Sequence, residues 1–113
     1  MKILVAPNAF KEALSAREAG EAIKGGLLRA LPDSDITVLP IADGGDGTIE
    51  VLVEATSGQF IEKYVTGPLG EKVKASFGIL GDGKTAVIEM ARSSGLALVP
   101  KEKRNPAITT TYG

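Results

Sequence analysis

The sequence predicts an α/β fold that opens with a parallel βαβ unit and turns into an antiparallel or mixed β meander. Residues 3–6 form a continuous apolar run stopped by Pro7, residues 36–39 form a second, β-branched run stopped by Pro40, and a helical pattern lies between them. Strands joined through a helical crossover run parallel. After Gly58 the helical spacing gives way to extended runs separated by Gly67-Pro68-Leu69-Gly70 and by Asp82-Gly83, which is the turn chemistry of hairpins.

The first run suits a strand buried on both faces, as strands of parallel sheets are. Residues 7–14 read as a loop. Ser15-Ala16-Arg17-Glu18 is a capping box: the hydroxyl accepts from the Glu18 amide and the carboxylate reaches back. Leu14 and Ala19 stand where a hydrophobic staple would. Ala16, Ala19, Ile23, Leu27 and Leu31 recur three and four apart and make one helix face, ended by Pro32 and Asp33. Gly25 and Gly26 inside this helix cost about 1–2 kcal/mol against two alanines, so close packing on the sheet is their expected reason. A second helix is expected over 48–55, with Ile49, Leu52 and Val53 as its stripe and Gly58 at a left-handed cap. Extended runs are expected over 60–66, 73–80 and 85–90, then a short turn or helical piece over 91–99 and a charged loop over 101–104. The change of character divides the chain into residues 1–58 and 59–113.

Composition narrows the function. The 113 residues carry 13 basic and 14 acidic side chains, a formal charge of −1, so no sequence-wide basic field favours a nucleic-acid backbone. Aromatic residues make up 4%, too few for a base-stacking platform. Cysteine and histidine are absent, which excludes a disulfide, a thiolate nucleophile, a Cys/His zinc site and a His general base. The apolar stretches fall well short of the roughly 18–20 residues a membrane span needs, and the first residues hold too short an apolar core for a secretory signal. A cytoplasmic protein is expected.

The constellation richest in chemistry is Asp43-Gly44-Gly45-Asp46-Gly47-Thr48, after a strand and before a helix. Ligands of open α/β sheets bind at the carboxyl ends of strands, glycines let a ligand approach the backbone, and a helix N-terminus presents donors suited to phosphate or carboxylate. Asp43 is a candidate to orient or deprotonate a hydroxyl, or to hold magnesium. The bland reading is a tight turn with Asp46 or Thr48 as helix cap. Asn8, Lys11 and Glu12 lie after the first strand, on the same sheet edge; Lys11 suits an anion as a point charge and equally a solvated loop. Glu89 and Ser94, with Arg92 and Ser93, follow the third extended run and read either as site groups or as a polar turn closed by Gly95. Arg104, Asn105, Thr109, Thr110 and Thr111 suit an oxyanion, and capping explains the threonines equally well.

Gly78-Ile79-Leu80-Gly81-Asp82-Gly83-Lys84-Thr85 matches the pattern G-x-x-x-x-G-K-[ST]. A phosphate-binding loop of that kind needs a helix after it. Here the sequel reads as a strand, so a hairpin with an exposed Lys84 is expected.

Residues 7–16, Pro-Asn-Ala-Phe-Lys-Glu-Ala-Leu-Ser-Ala, resemble the P-D-S-F-K-E-S-L-S-A segment of bacterial type I glycerate kinases. Residues 42–48 resemble their A-D-G-G-E-G-T segment. Residues 66–70, residues 86–91 with Ser94-Gly95-Leu96, and Arg104-Asn105-Pro106 with Thr109-Thr110-Thr111-Tyr112-Gly113 also match, in the family's order. Asn8 and Ala9 stand where the family usually has Asp and Ser, and Asp46 stands for Glu. The family's enzymes are roughly three times this long, so the chain resembles the N-terminal fragment of such a kinase, inactive alone. The resemblance implies transfer of the ATP γ-phosphoryl group to D-glycerate, with Mg²⁺, giving 2-phosphoglycerate or 3-phosphoglycerate. It implies a Rossmann-like parallel domain, begun by residues 1–58, with a second α/β domain inserted, begun by residues 59–113. Asp43 would position the acceptor hydroxyl or the Mg²⁺, and Lys11 would hold the glycerate carboxylate or a phosphate. Asn8, Gly44, Gly45, Gly47 and Thr48 would supply further donors, with Glu89, Ser94, Arg104, Thr109, Thr110 and Thr111 as secondary binding groups. A partial fold exposes apolar surface, so self-association is expected. The alternative is a non-catalytic anion-binding α/β module.

Overall fold

The computed structural model describes residues 1–113 and is a mixed α/β structure. The chain divides into two compact units, Met1–Val51 and Leu52–Gly113.

The first unit contains β1 (Lys2–Val5), α1 (Ala16–Ala30) and β2 (Asp35–Val38). The strands pair in parallel, Ile3 beside Ile36 and Val5 beside Val38. Successive side chains point to opposite faces, so these four share one face, and α1 packs on both strands. Val5 and Ile36 are buried there, with Ala16, Ala19 and Gly20 of the helix. Burial on both faces of β1, expected from its apolar run, does not occur: Leu4 is 62% exposed. The sheet of this chain has two strands and the helix covers one side, so Ile3 and Val5 face the helix while Lys2 and Leu4 face away.

The capping box forms as read. The Ser15 hydroxyl accepts from the Glu18 N–H at 3.2 Å, and the Ser15 N–H donates to Glu18 Oε2 at 2.8 Å. The Ser15 N–H, then its hydroxyl, hold the Glu18 carboxyl below its ordinary value. The cap therefore contributes fully above the unfolded carboxyl's value and is lost as pH falls through the lowered one.

The helix approaches the sheet most closely at Gly20, not at Gly25 or Gly26. A methyl group at residue 20 would run into the Val38 side chain and lie 3.4 Å from Pro7 Cγ, whereas Gly25 faces open space and Gly26 has only Arg29 Nη2 at 3.9 Å. The contact concentrates in the first turns, and Ile23 and Leu31 farther along remain exposed.

The second helix, α2 (Thr48–Thr56), contains the division between the units. The left-handed residue that ends it is Ser57 (φ 54°), not Gly58. Gly58 is needed for room, because a side chain there would strike the Ile79 carbonyl. Its N–H donates to the Val53 carbonyl at 2.8 Å and closes the helix end.

The second unit is built on β3 (Gln59–Thr66), β4 (Lys72–Ile79) and β5 (Ala86–Val87), ordered β3-β4-β5 and antiparallel. β5 is shorter than the expected run over 85–90. Met90 is already helical (φ −55°, ψ −34°) and leads into α3 (Ala91–Ser94), which draws residues 88–90 off the ladder. Between β4 and β5, Asp82 Oδ1 accepts from the N–H groups of Lys84 and Thr85, each at 2.9 Å, and Asp82 Oδ2 from the Thr85 hydroxyl at 2.6 Å. A strand follows, so the G-x-x-x-x-G-K-T stretch is a hairpin turn. Short 3₁₀ turns occupy Leu96–Leu98 and Lys101–Lys103, the second where a plain loop was expected. No helix is long and apolar enough to cross a membrane.

The two glycine environments of α1 separate in a denaturation experiment. Gly20→Ala is expected to destabilise the protein by about 1–3 kcal/mol through overpacking, and Gly25→Ala to stabilise it by about 0.5–1 kcal/mol. Equal shifts of the unfolding midpoints would contradict the packing described.

Candidate functional site

The pairing of β1 and β2 continues past both strand ends. The Leu39 N–H donates to the Val5 carbonyl at 2.8 Å and the Ile41 N–H to the Pro7 carbonyl at 3.0 Å. The chain therefore leaves both strands at their carboxyl ends in register, and the segments beginning at Asn8 and Ala42 start side by side. Open α/β sheets place ligands at this edge.

Two side chains meet there. Asn8 Oδ1 accepts from the Ala9 N–H at 2.8 Å, and the Asn8 side chain lies close enough to Asp43 to favour its charged form. Asp43 Oδ1 also accepts the Gly45 N–H at 2.9 Å. The Gly45 N–H first, then Asn8, hold the Asp43 carboxyl below its ordinary value. The side chain is exposed, and a carboxylate offers about four acceptor directions, so capacity remains for a ligand. An ionised carboxylate of lowered basicity suits holding a hydroxyl or a cation better than removing a proton at neutral pH.

The rest of the Asp43 segment is a tight turn. Gly44 (φ 93°) and Gly47 (φ 91°) adopt backbone angles that side chains resist. The Thr48 hydroxyl donates back to the Gly45 carbonyl at 2.7 Å; it closes the turn rather than accepting from the first amides of α2. Residues 43–46 are exposed. Lys11 is exposed in the adjoining loop, which is closed by Phe10 N–H to Leu14 O at 2.8 Å and Leu14 N–H to Phe10 O at 3.0 Å. Asp43 fits magnesium as a single ligand, because that ion keeps waters and takes one or two carboxylates with phosphate oxygens. No group of three or more acidic side chains forms a cage.

The other sequence candidates lie in the second unit. Glu89 is buried and sits 3.6 Å from Arg92 Nε, one turn along α3. The Ser94 and Ser93 hydroxyls are 3.1 Å apart. Arg104 Nε donates to the Val99 carbonyl at 3.1 Å, which commits part of its guanidinium to the chain itself. The Thr110 N–H donates to the Pro68 carbonyl at 2.9 Å, and the Thr110 hydroxyl accepts from the Tyr112 N–H at 3.1 Å. The segments containing Gly67-Pro68 and Thr109-Thr110-Thr111 therefore touch, while Thr111 is exposed. A cavity of 220 Å³ opens beside Glu89, walled by Val65, Phe77 and Ile88 and edged by Arg92, Ser93 and Lys63. The sequence reading passed over Lys63. Its signal was a cation two residues from both Ile61 and Val65, breaking an apolar face.

The sequence pattern of the glycerate kinase family matches residues 3–113. The chain belongs to the glycerate kinase family. It is 62% identical over 113 residues to a glycerate kinase of Bacillus subtilis (strain 168) and 56% identical over 113 residues to a glycerate 2-kinase of Escherichia coli (strain K12). Each match covers 100% of this chain and 30% of the relative. A crystal structure from Salmonella typhimurium LT2, assigned as glycerate kinase 2, shares the fold with a TM-score of 0.74 at 50% identity, over 100% of this chain and 30% of that one. The chain thus spans about 30% of the length of these glycerate kinases.

The hydrogen bonds at Asp43 set its titration. The Gly45 amide resonance, followed by NMR against pH, is expected to move with a midpoint below 3.8, Asp43's ordinary value. The turn's contribution to stability is then present above the unfolded carboxyl's value and disappears as pH falls through that midpoint. A midpoint at or above the ordinary value would contradict the contacts described.

Proposed function

We propose that this chain supplies the acceptor side of the active site of an ATP-dependent kinase that phosphorylates D-glycerate, within a protein of its relatives' length. The observation that carries the reading is the exposed Asp43 carboxylate at the carboxyl edge of β1 and β2, which accepts from the Gly45 N–H at 2.9 Å, next to a glycine-rich turn at the start of α2. Phosphoryl transfer asks a protein mainly for alignment and charge neutralisation. An exposed carboxylate held by the Gly45 N–H suits the alignment of an acceptor hydroxyl. Lys11 supplies a point charge for the glycerate carboxylate or a phosphate. The backbone of Gly44, Gly45 and Gly47 and the Thr48 turn supply close approach and donors. Glu89, Ser94, Arg104, Thr109, Thr110 and Thr111 are assigned as secondary binding groups by resemblance alone.

Asp43 is the residue proposed to hold Mg²⁺, which when bound would neutralise phosphate charge. The Escherichia coli relative's name as a glycerate 2-kinase supports 2-phosphoglycerate as the product. An enzyme drawing on ATP to phosphorylate a small organic acid belongs in the cytoplasm. Residues 1–58 would begin a Rossmann-like domain and residues 59–113 an inserted one.

Glycerate-dependent ADP release by the full-length protein tests the proposal. Asp43→Asn is expected to lower kcat by about 100-fold or more, and Lys11→Ala to raise the KM for glycerate with a smaller effect on kcat. An Asp43→Asn variant whose kcat stays within about tenfold of wild type would remove the hydroxyl-positioning role.

A further inference from the structure

We propose that the cavity beside Glu89 binds a small carboxylate with a hydrocarbon body, a ligand class other than glycerate, with Lys63 as the group that takes its charge. Every residue involved lies in the second unit, and none belongs to the Asp43 turn.

The floor of the cavity is one face of the β3–β4 ladder. Lys63 stands opposite Ala75, and Ile61 opposite Phe77. Residues two apart on a strand share a face, so Lys63, Val65, Ala75 and Phe77 lie on one side. α3 packs on β4, and Ile88 and Glu89 leading into it complete the wall. The small side chain of Ala75 opposite Lys63 leaves room that a larger residue would fill. At 220 Å³ the cavity is smaller than the roughly 300–1,000 Å³ of sites for drug-sized ligands, so it suits a small molecule. Val65, Ala75, Phe77 and Ile88 offer no side-chain hydrogen bonds, and hydroxyl groups set against them would lose their water without replacement. The walls therefore favour a hydrocarbon body over a polyhydroxy acid. The edge sets the charge. Lys63 and Arg92 are cationic and Glu89 is the one carboxylate of the lining. Glu89 is buried and lies 3.6 Å from Arg92 Nε, so these two charges offset each other. Lys63 is exposed and has no ion-pair partner, in contrast to Lys74 on the other face of the same ladder, 2.7 Å from Glu62. The charge left at the cavity edge is positive. One negative charge on the ligand matches it, as a carboxylate supplies at neutral pH.

Benzoate is the probe, titrated into the full-length protein while the Ile88 methyl signals are followed by NMR. It is expected to shift them saturably, with a dissociation constant of about 1 mM or below. Benzyl alcohol has the ring without the charge and is expected to bind about tenfold more weakly, because hydrogen bonds between charged groups are the stronger ones. Lys63→Met keeps the stem and removes the charge. It is expected to weaken benzoate about tenfold and to leave benzyl alcohol within about twofold, with thermal unfolding as the check that the variant folds. Unmoved Ile88 methyl signals would overturn the proposal, as would equal affinities for the two probes or benzoate binding undiminished by Lys63→Met. So would D-glycerate that shifts the same signals at lower concentration than benzoate. The comparison of the two probes uses the unaltered protein, so it decides the matter even where Lys63→Met fails to fold. Turnover is not read in any arm, so failure of the kinase reading leaves the outcome intact.

Discussion

The parallel ladder between β1 and β2, carried past the strand ends, is the constraint on which the site depends. Leu39 donates to Val5 and Ile41 donates to Pro7, so two loops far apart in sequence begin side by side. A slip of one residue would turn every side chain of one strand to the other face. It would expose Ile36 in place of Thr37 and draw Asp43 away from Asn8. The burial of Val5 and Ile36 under α1 opposes that slip. Core packing and site geometry are therefore fixed by the same register, and Gly20 belongs to this arrangement because it lets α1 lie against Val38 and Pro7.

What could be read in advance was mostly local. The Ser15–Glu18 capping box, the parallel pairing of the two short apolar runs and the hairpin at Asp82-Gly83 each depend on residues within a few positions or on connection geometry, and each is present. What escaped depended on distant partners. Leu4 is as apolar as Val5, and only the presence of one helix on one side of a two-stranded sheet decides that Leu4 faces out. Gly20, Gly25 and Gly26 look alike in sequence, and only the line of approach of α1 distinguishes them. Gly58 was read as the left-handed cap because glycine favours that conformation, but Ser57 takes it, and Gly58 answers to the carbonyl of Ile79 across the turn.

The candidate site follows the same rule. That Asn8 and Asp43 share a sheet edge was legible from the βαβ pattern. That the Asn8 oxygen is spent on the Ala9 N–H was not, because the direction of an amide is set by a neighbour's N–H that the letters do not specify. In the threonine cluster, the contacts of Thr110 with Pro68 and Tyr112 likewise depend on a partner that the letters do not specify. Asp43 itself combines both readings offered by the sequence. It closes a turn through Gly45 and remains exposed, and the hydrogen bonds that build the turn also keep its carboxylate charged.

The most direct measurement is a crystal structure of the full-length protein with D-glycerate bound. The account predicts a hydroxyl of the bound acid within hydrogen-bond distance of the Asp43 carboxylate, about 2.6–3.0 Å. Glycerate bound away from the carboxyl ends of β1 and β2, or bound there with Asp43 turned aside, would contradict it.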